Sequence, residues 1–128
     1  MNSIVLDTSL VFAIIHQEAV SDKLTPELLT ESTMSTVNLA EAQSKLVISG
    51  WKADEAWLDA TSPVGKIVTF TASQARIAGS LIAQTRALGL SLGDRACLAL
   101  ALEMKAPVYT ADRSWSKLKL GIRIHVIR

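Results

Sequence analysis

Apolar positions along the chain fall into short runs separated by polar turns, and the spacing inside each run assigns its structure. Ser3 to Leu6 is rich in β-branched residues and stops at Asp7-Thr8-Ser9; Leu10 to Ile15 then continues as a buried helix. Glu18 to Leu29 is helical in character but is interrupted by Pro26, whose missing amide hydrogen suits a helix start, so two short helices are expected. Thr33 to Val37 reads as a second strand, after which Leu39, Ala42, Leu46 and Val47 recur at helical spacing from Asn38 until Gly50 stops them. A further helix is expected over Trp51 to Ala60, then a turn at Pro63 and Gly65 and a third strand over Ile67 to Phe70. Thr71 to Leu88 predicts one long helix ended by Gly89, with Ala75, Ala78, Gly79 and Ile82 as a flat packing face. The helix from Asp94 to Lys105 is apolar nearly all round, which places it at the centre, covered by other elements. Val108 to Thr110 comes next as a fourth strand, Ser114 to Leu118 as a turn of helix, and Ile122 to Ile127 as a closing edge strand.

Strands separated throughout by helices, with no hairpin signal, predict an α/β fold: a parallel sheet of four to five strands with helices on both faces. The 128 residues suffice for about one core and show no linker, repeat or low-complexity tract, so residues 1 to 128 are expected to form a single domain. In such sheets the working site lies beyond the carboxyl ends of the strands, near the point where the strand order reverses.

Composition narrows the chemistry. The mean hydropathy of +0.31 is high, but the longest apolar runs fall far short of the roughly 20 residues a membrane-spanning helix needs, so no membrane association is expected. Asp7 precedes the first apolar stretch and no small-residue cleavage site comes after it, so a cytoplasmic rather than secreted protein is expected. A lone Cys97 excludes an internal disulfide and a Cys-rich zinc site, and is expected to fill a core gap; His16 and His125 are too few to supply zinc ligands instead and are expected at the surface. Trp51 and Trp57 are expected to pack against the chain's own helices. The net charge of +1 conceals a division: residues 1 to 64 carry three Lys against nine acids, and residues 65 to 128 carry ten Lys or Arg against three acids. Such asymmetry suits either a polyanion held by the second half or attraction between the halves within one fold.

Four carboxylates occupy matching places: Asp7 directly after the first strand, Glu41 in the first turn after the second, Asp94 opening the central helix, and Asp112 after the fourth strand. Singly each is a helix cap. Asn38-x-x-Glu41 and Ser91-x-x-Asp94 have the spacing of capping boxes, and Asp7 and Asp112 could each cap the helical segment next along the chain. Gathered on one edge, they would repel and raise one another's pKa unless a cation compensated them. Oxygen donors without His or Cys suit Mg2+ or Mn2+.

The segments Val5-Leu6-Asp7-Thr8-Ser9, Ser35-Thr36-Val37-Asn38-Leu39-Ala40-Glu41, Ser91-Leu92-Gly93-Asp94-Arg95-Ala96-Cys97-Leu98-Ala99 and Tyr109-Thr110-Ala111-Asp112 together resemble the PIN-domain ribonucleases, more narrowly the VapC-type toxins of toxin-antitoxin pairs, over nearly the whole chain. The resemblance implies a PIN-like domain in which Asp7, Glu41, Asp94 and Asp112 surround one or two divalent ions, with Ser9 or Thr110 lending a hydroxyl. It implies a metal-dependent endoribonuclease that leaves 5′-phosphate and 3′-hydroxyl ends, a cognate antitoxin that wraps the toxin, and homodimerisation through the early helices. Arg95 and Arg113, each next to one of the acids, are candidate contacts to RNA phosphates, and Lys117, Lys119, Arg123 and Arg128 could extend that track. Few aromatics argue against base stacking. Two other readings stand beside this one. A non-catalytic RNA- or protein-binding module would use the four acids only as caps. An aspartate-nucleophile phosphatase of the haloacid dehalogenase type would want a second Asp where Ser9 stands.

Overall fold

The computed structural model describes residues 3–18 and 24–127. A five-stranded parallel sheet runs through it, built from β1 (Ile4–Leu6), β2 (Ser32–Ser35), β3 (Lys66–Val68), β4 (Val108–Thr110) and β5 (Ile124–Val126). The spatial order is β3-β2-β1-β4-β5, so the chain builds outward from β1 on one side and then crosses to the other. The reversal falls between β1 and β4, which marks that crevice as the place where ligands bind in such sheets.

The alternation of β1 divides the core. Ile4 and Leu6 point into one cluster with Leu10, Met34, Leu39 and Leu46. Val5 points into the other with Cys97, Leu98, Leu100, Val108 and Trp115. The first face is covered by α1 (Thr8–Ile15), α2 (Pro26–Thr30), α3 (Thr36–Ile48) and α4 (Ala53–Thr61). The second is covered by α5 (Ala72–Ser80), α6 (Ile82–Thr85) and α7 (Leu92–Met104). In α7, Ala96 to Ala101 are all buried, as its nearly uniform apolar sequence predicts.

Local chemistry sets the helix starts. Thr25 accepts from the Leu28 amide with Pro26 in the first turn, and Thr71 accepts from the Gln74 amide. Ser91 and Asp94 form the expected reciprocal capping box on α7. The α3 start differs from expectation. Ser35 accepts from the Val37 amide, so the strand ends at Ser35 and the helix begins at Thr36. Asn38 therefore lies inside the first turn and is no cap.

Three further expectations are corrected. The stretch expected as one helix from Thr71 to Leu88 is broken after Ser80 and ends in a 3-10 turn, Arg86–Leu88, although Gly89 does close it in the left-handed conformation at φ 69°. Its buried face is Gln74, Ala78, Leu81 and Thr85; of the expected face only Ala78 is buried, and Ala75, Gly79 and Ile82 are exposed. Trp51 packs on the first core cluster, but Trp57 is exposed. His16 is exposed as expected, whereas His125 is half-buried with its ring stacked on Tyr109. Of the two short helices expected over Glu18 to Leu29, only α2 falls among the described residues, since residues 19–23 lie outside them.

Candidate active site

Asp7 follows β1 directly and its amide donates to Tyr109 O at 3.0 Å, so it stands in the crevice between β1 and β4. It occupies the N-cap position of α1, yet its side chain makes no capping hydrogen bond. The carboxylate turns instead toward two hydroxyls: Ser9 Oγ donates to Oδ2 at 2.5 Å and Thr110 Oγ1 donates to the same oxygen at 2.9 Å. Asp7 is buried and Oδ1 has no hydrogen-bond partner, an arrangement that costs folding free energy unless something absent from the bare chain satisfies that oxygen. Burial is the main reason the Asp7 carboxyl is pushed up from 3.8 to about 6; the two hydroxyls oppose the shift and the charge of Asp94 adds to it.

The hydroxyls tie this centre to the end of β4. Ser9 Oγ accepts from the Ala111 amide at 3.0 Å, and Thr110 Oγ1 accepts from the Asp112 amide at 3.0 Å. Asp112 is thereby anchored through its backbone, while its Oδ1 accepts from the amide and hydroxyl of Ser114 at 2.9 and 2.8 Å, capping the 3-10 turn Arg113–Lys117. Asp94 caps likewise, accepting from the Ser91 amide through Oδ2 at 2.9 Å. Each cap engages one carboxylate oxygen.

Glu41 is held differently. Its Oε1 accepts from Thr8 Oγ1 at 3.1 Å and from Asn38 Nδ2 at 3.2 Å, and the same Asn38 nitrogen donates to Gly93 O at 2.9 Å. Thr8 and Asn38 were not singled out for this role by sequence. The signal available was the three-residue spacing of Asn38 and Glu41, which puts both on one helical face. Cys97 lies behind the site, fully buried, its thiol directed at Leu6 O at 3.7 Å. Burial pushes that thiol up, and the charges of Asp7, Asp94 and Glu41 all add to the effect, so three of the four acids lie within electrostatic reach of one atom.

The four acids thus share one edge of the sheet but not one grip: among the described residues, no three carboxylate, imidazole or thiol groups stand close enough in this conformation to hold a single ion. What fits a hard divalent cation is the donor set, all oxygen, and the bare, buried Oδ1 of Asp7. The two arginines differ. Arg113 is exposed beside Asp112, whereas Arg95 is half-buried and donates through Nη1 to Ala78 O at 2.9 Å, tying α7 to α5.

A parallel three-layer α/β fold with acids gathered at the strand-order reversal defines a class of proteins that work on ligands at that edge. The model of the PIN domain family matches residues 4–120, and the chain belongs to that family. Comparison with curated protein sequences returns no match. Among solved structures, the chain is similar to one in VapBC2 of Rickettsia felis bound to a promoter DNA fragment (TM-score 0.72, 19% identity, covering 95% of this chain and 96% of that one). It is similar to a chain of the DNA-bound VapBC of Salmonella typhimurium (TM-score 0.69, 20% identity, 98% of each chain). It also resembles VapC20 of Mycobacterium tuberculosis, a toxin that cleaves the sarcin-ricin loop (TM-score 0.69, 19% identity, 94% of this chain and 99% of that one). At such identities the likeness is one of fold. No helix among the described residues is long and apolar enough to cross a membrane.

Proposed function

We propose that the chain, as one nuclease domain, is a divalent-metal-dependent endoribonuclease and the toxin of a toxin-antitoxin pair, acting in the cytoplasm. The observation that carries this reading is the Asp7 carboxylate, which forgoes the cap its position offers and leaves a buried oxygen without a partner at the strand-order reversal. Family membership and the fold shared with VapC20 and the VapBC complexes support the substrate and the partner.

Asp7, Glu41, Asp94 and Asp112 would hold Mg2+ or Mn2+. When bound, such an ion supplies a Lewis acid that activates water and offsets charge on the scissile phosphate. Ser9 and Thr110 hold the Asp7 carboxylate through Oδ2, which leaves Oδ1 without a hydrogen bond of its own. Asp94 and Asp112 each keep one oxygen outside their caps and can lend it without dissolving the turn. Arg113, exposed one residue beyond Asp112, would meet a phosphate flanking the cleaved bond. Arg95, with Nη1 engaged by Ala78 O, serves the frame and would meet RNA only through its remaining donors. Hydrolysis by water would leave 5′-phosphate and 3′-hydroxyl ends.

One observation favours the non-catalytic alternative: the carboxylates of Asp94 and Asp112 both serve as caps. Incubating the purified chain with structured RNA and Mg2+ separates the two readings. Cleavage that EDTA stops and Asp7→Asn abolishes is expected, together with growth arrest on expression that the adjacent reading frame relieves. Inertness of the antitoxin-free chain toward RNA would favour the binding module.

A further inference from the structure

Gly93 has no backbone reason to be glycine. It is the second residue of α7, in helical rather than left-handed conformation, where glycine is a poorer helix former than alanine. A Cβ built on it would find its nearest neighbours in a side chain rather than in backbone. It would overlap the Glu41 carboxylate, with both oxygens and Cδ as the nearest atoms. Over that seat the carboxylate is held at Oε1 by Thr8 Oγ1 and by the fully buried Asn38, whose Nδ2 reaches Glu41 Oε1 and Gly93 O together. The first turn of α7 also presents the positive end of its backbone dipole to the carboxylate.

We infer that the bare Cα of Gly93 is a seat for the Glu41 carboxylate, closed by Asn38 and Thr8, and that these three residues position Glu41 toward the divalent cation of the proposed function, on which this inference rests. They are positioning residues: none needs to touch substrate. The glycine is kept for the space it leaves, against its own helix propensity.

The experiment reads Mn2+ binding, by calorimetry and electron paramagnetic resonance, for the intact chain, Gly93→Ala, Glu41→Gln and the double variant, with thermal unfolding of each. Because the atoms most crowded are the end of a side chain that can swing aside, Gly93→Ala is expected to melt no lower than the parent. It should nonetheless bind Mn2+ about 10- to 100-fold more weakly, the range for loss of a group that orients a metal ligand. In the Glu41→Gln background the same substitution should cost no further affinity, since it acts through that carboxylate. Unchanged affinity in Gly93→Ala, or an equal loss with and without Glu41, overturns the inference and leaves the metal site standing. If the parent chain binds no Mn2+, the proposed function falls and the inference with it; if Glu41→Gln binds as the parent does, the inference alone is overturned. Were Gly93→Ala to misfold, adding Glu41→Asp decides: the shortened side chain clears the new methyl and restores folding if the seat is real, and fails to if it is not.

Discussion

A carboxylate buried with one oxygen unpaired stabilises the folded chain only while it is protonated, and Asp7 is in that position. Its carboxyl is raised from 3.8 to about 6, so the folded state holds this proton more tightly than the unfolded chain does. The contribution is fully present below about pH 4 and is lost as pH rises through about 6; for this shift it amounts to on the order of 3 kcal/mol. In EDTA, the chain should therefore lose stability between pH 4 and pH 7 in urea unfolding, and Mg2+ should restore it at the upper end. Asp7→Asn should be more stable than the parent at pH 7.5 without metal, match it near pH 4, and cleave nothing. An Asp7→Asn chain less stable than the parent at both pH values would mean that the carboxylate is satisfied in some other way. At this scale the sequence picks out four acids by their places after the strands and is silent about which of them cap. Asp7, Asn38, Asp94 and Asp112 all have capping spacing; only the fold decides that Asp94 and Asp112 cap while Asp7 and Asn38 turn inward.

Elements are set by their ends, and two junctions make that testable. Gly65 enters β3 against the end of α2 and the start of β2: a Cβ there would overlap Thr30 O and come within 2.8 Å of Ser32 O, both backbone atoms that cannot swing away. Its amide also donates to Ser32 Oγ at 2.9 Å. Gly65→Ala should cost about 1–3 kcal/mol, seen as a lowered urea midpoint at unchanged slope. It thus contrasts with the helical Gly93→Ala, where a side chain can move. Ser91→Ala removes half of the α7 capping box, the hydroxyl that accepts from the Asp94 amide, and should cost about 1 kcal/mol while leaving Mn2+ binding intact, because the Asp94 carboxylate keeps its bond from the backbone amide of residue 91. The buried face of α5 and α6 was less legible than these caps. Helical spacing fits the row through Ala75, Gly79 and Ile82 as well as the row through Gln74, Ala78, Leu81 and Thr85, and apolar counting prefers the first. The second is buried with its polar members partly satisfied: Gln74 Nε2 donates to Oε1 of the exposed Glu103 at 3.1 Å and Thr85 Oγ1 to Leu81 O at 2.8 Å, while Gln74 Oε1 has no partner.

Across the whole molecule the charge division acquires a direction that the sequence could not supply. The alternation of strands and helices made the parallel pairing legible, and with it the edge bearing the acids, but which cations share that edge depends on where each chain segment returns. Arg113 and Lys117 lie on the turn after β4, at the edge with the acids, and both are exposed. Arg123 stands at the opposite edge, where with Lys105 and Pro107 it lines clefts at the start of β4 and β5; Arg128 lies outside the described residues. The basic track expected from sequence is thus split by the sheet, and only its first part lies at the edge that carries Asp7. RNA binding by an uncleaving Asp94→Asn chain should weaken with salt, each phosphate contact on a single strand adding about 0.7 to the slope of log affinity against log salt. Replacing Arg113 and Lys117 by Gln should flatten that slope by roughly 1.4, whereas Arg123→Gln should leave it unchanged. An equal flattening from Arg123→Gln would mean that RNA wraps to the far edge of the sheet, and a slope indifferent to all three would remove the backbone track from the account of how this chain holds RNA.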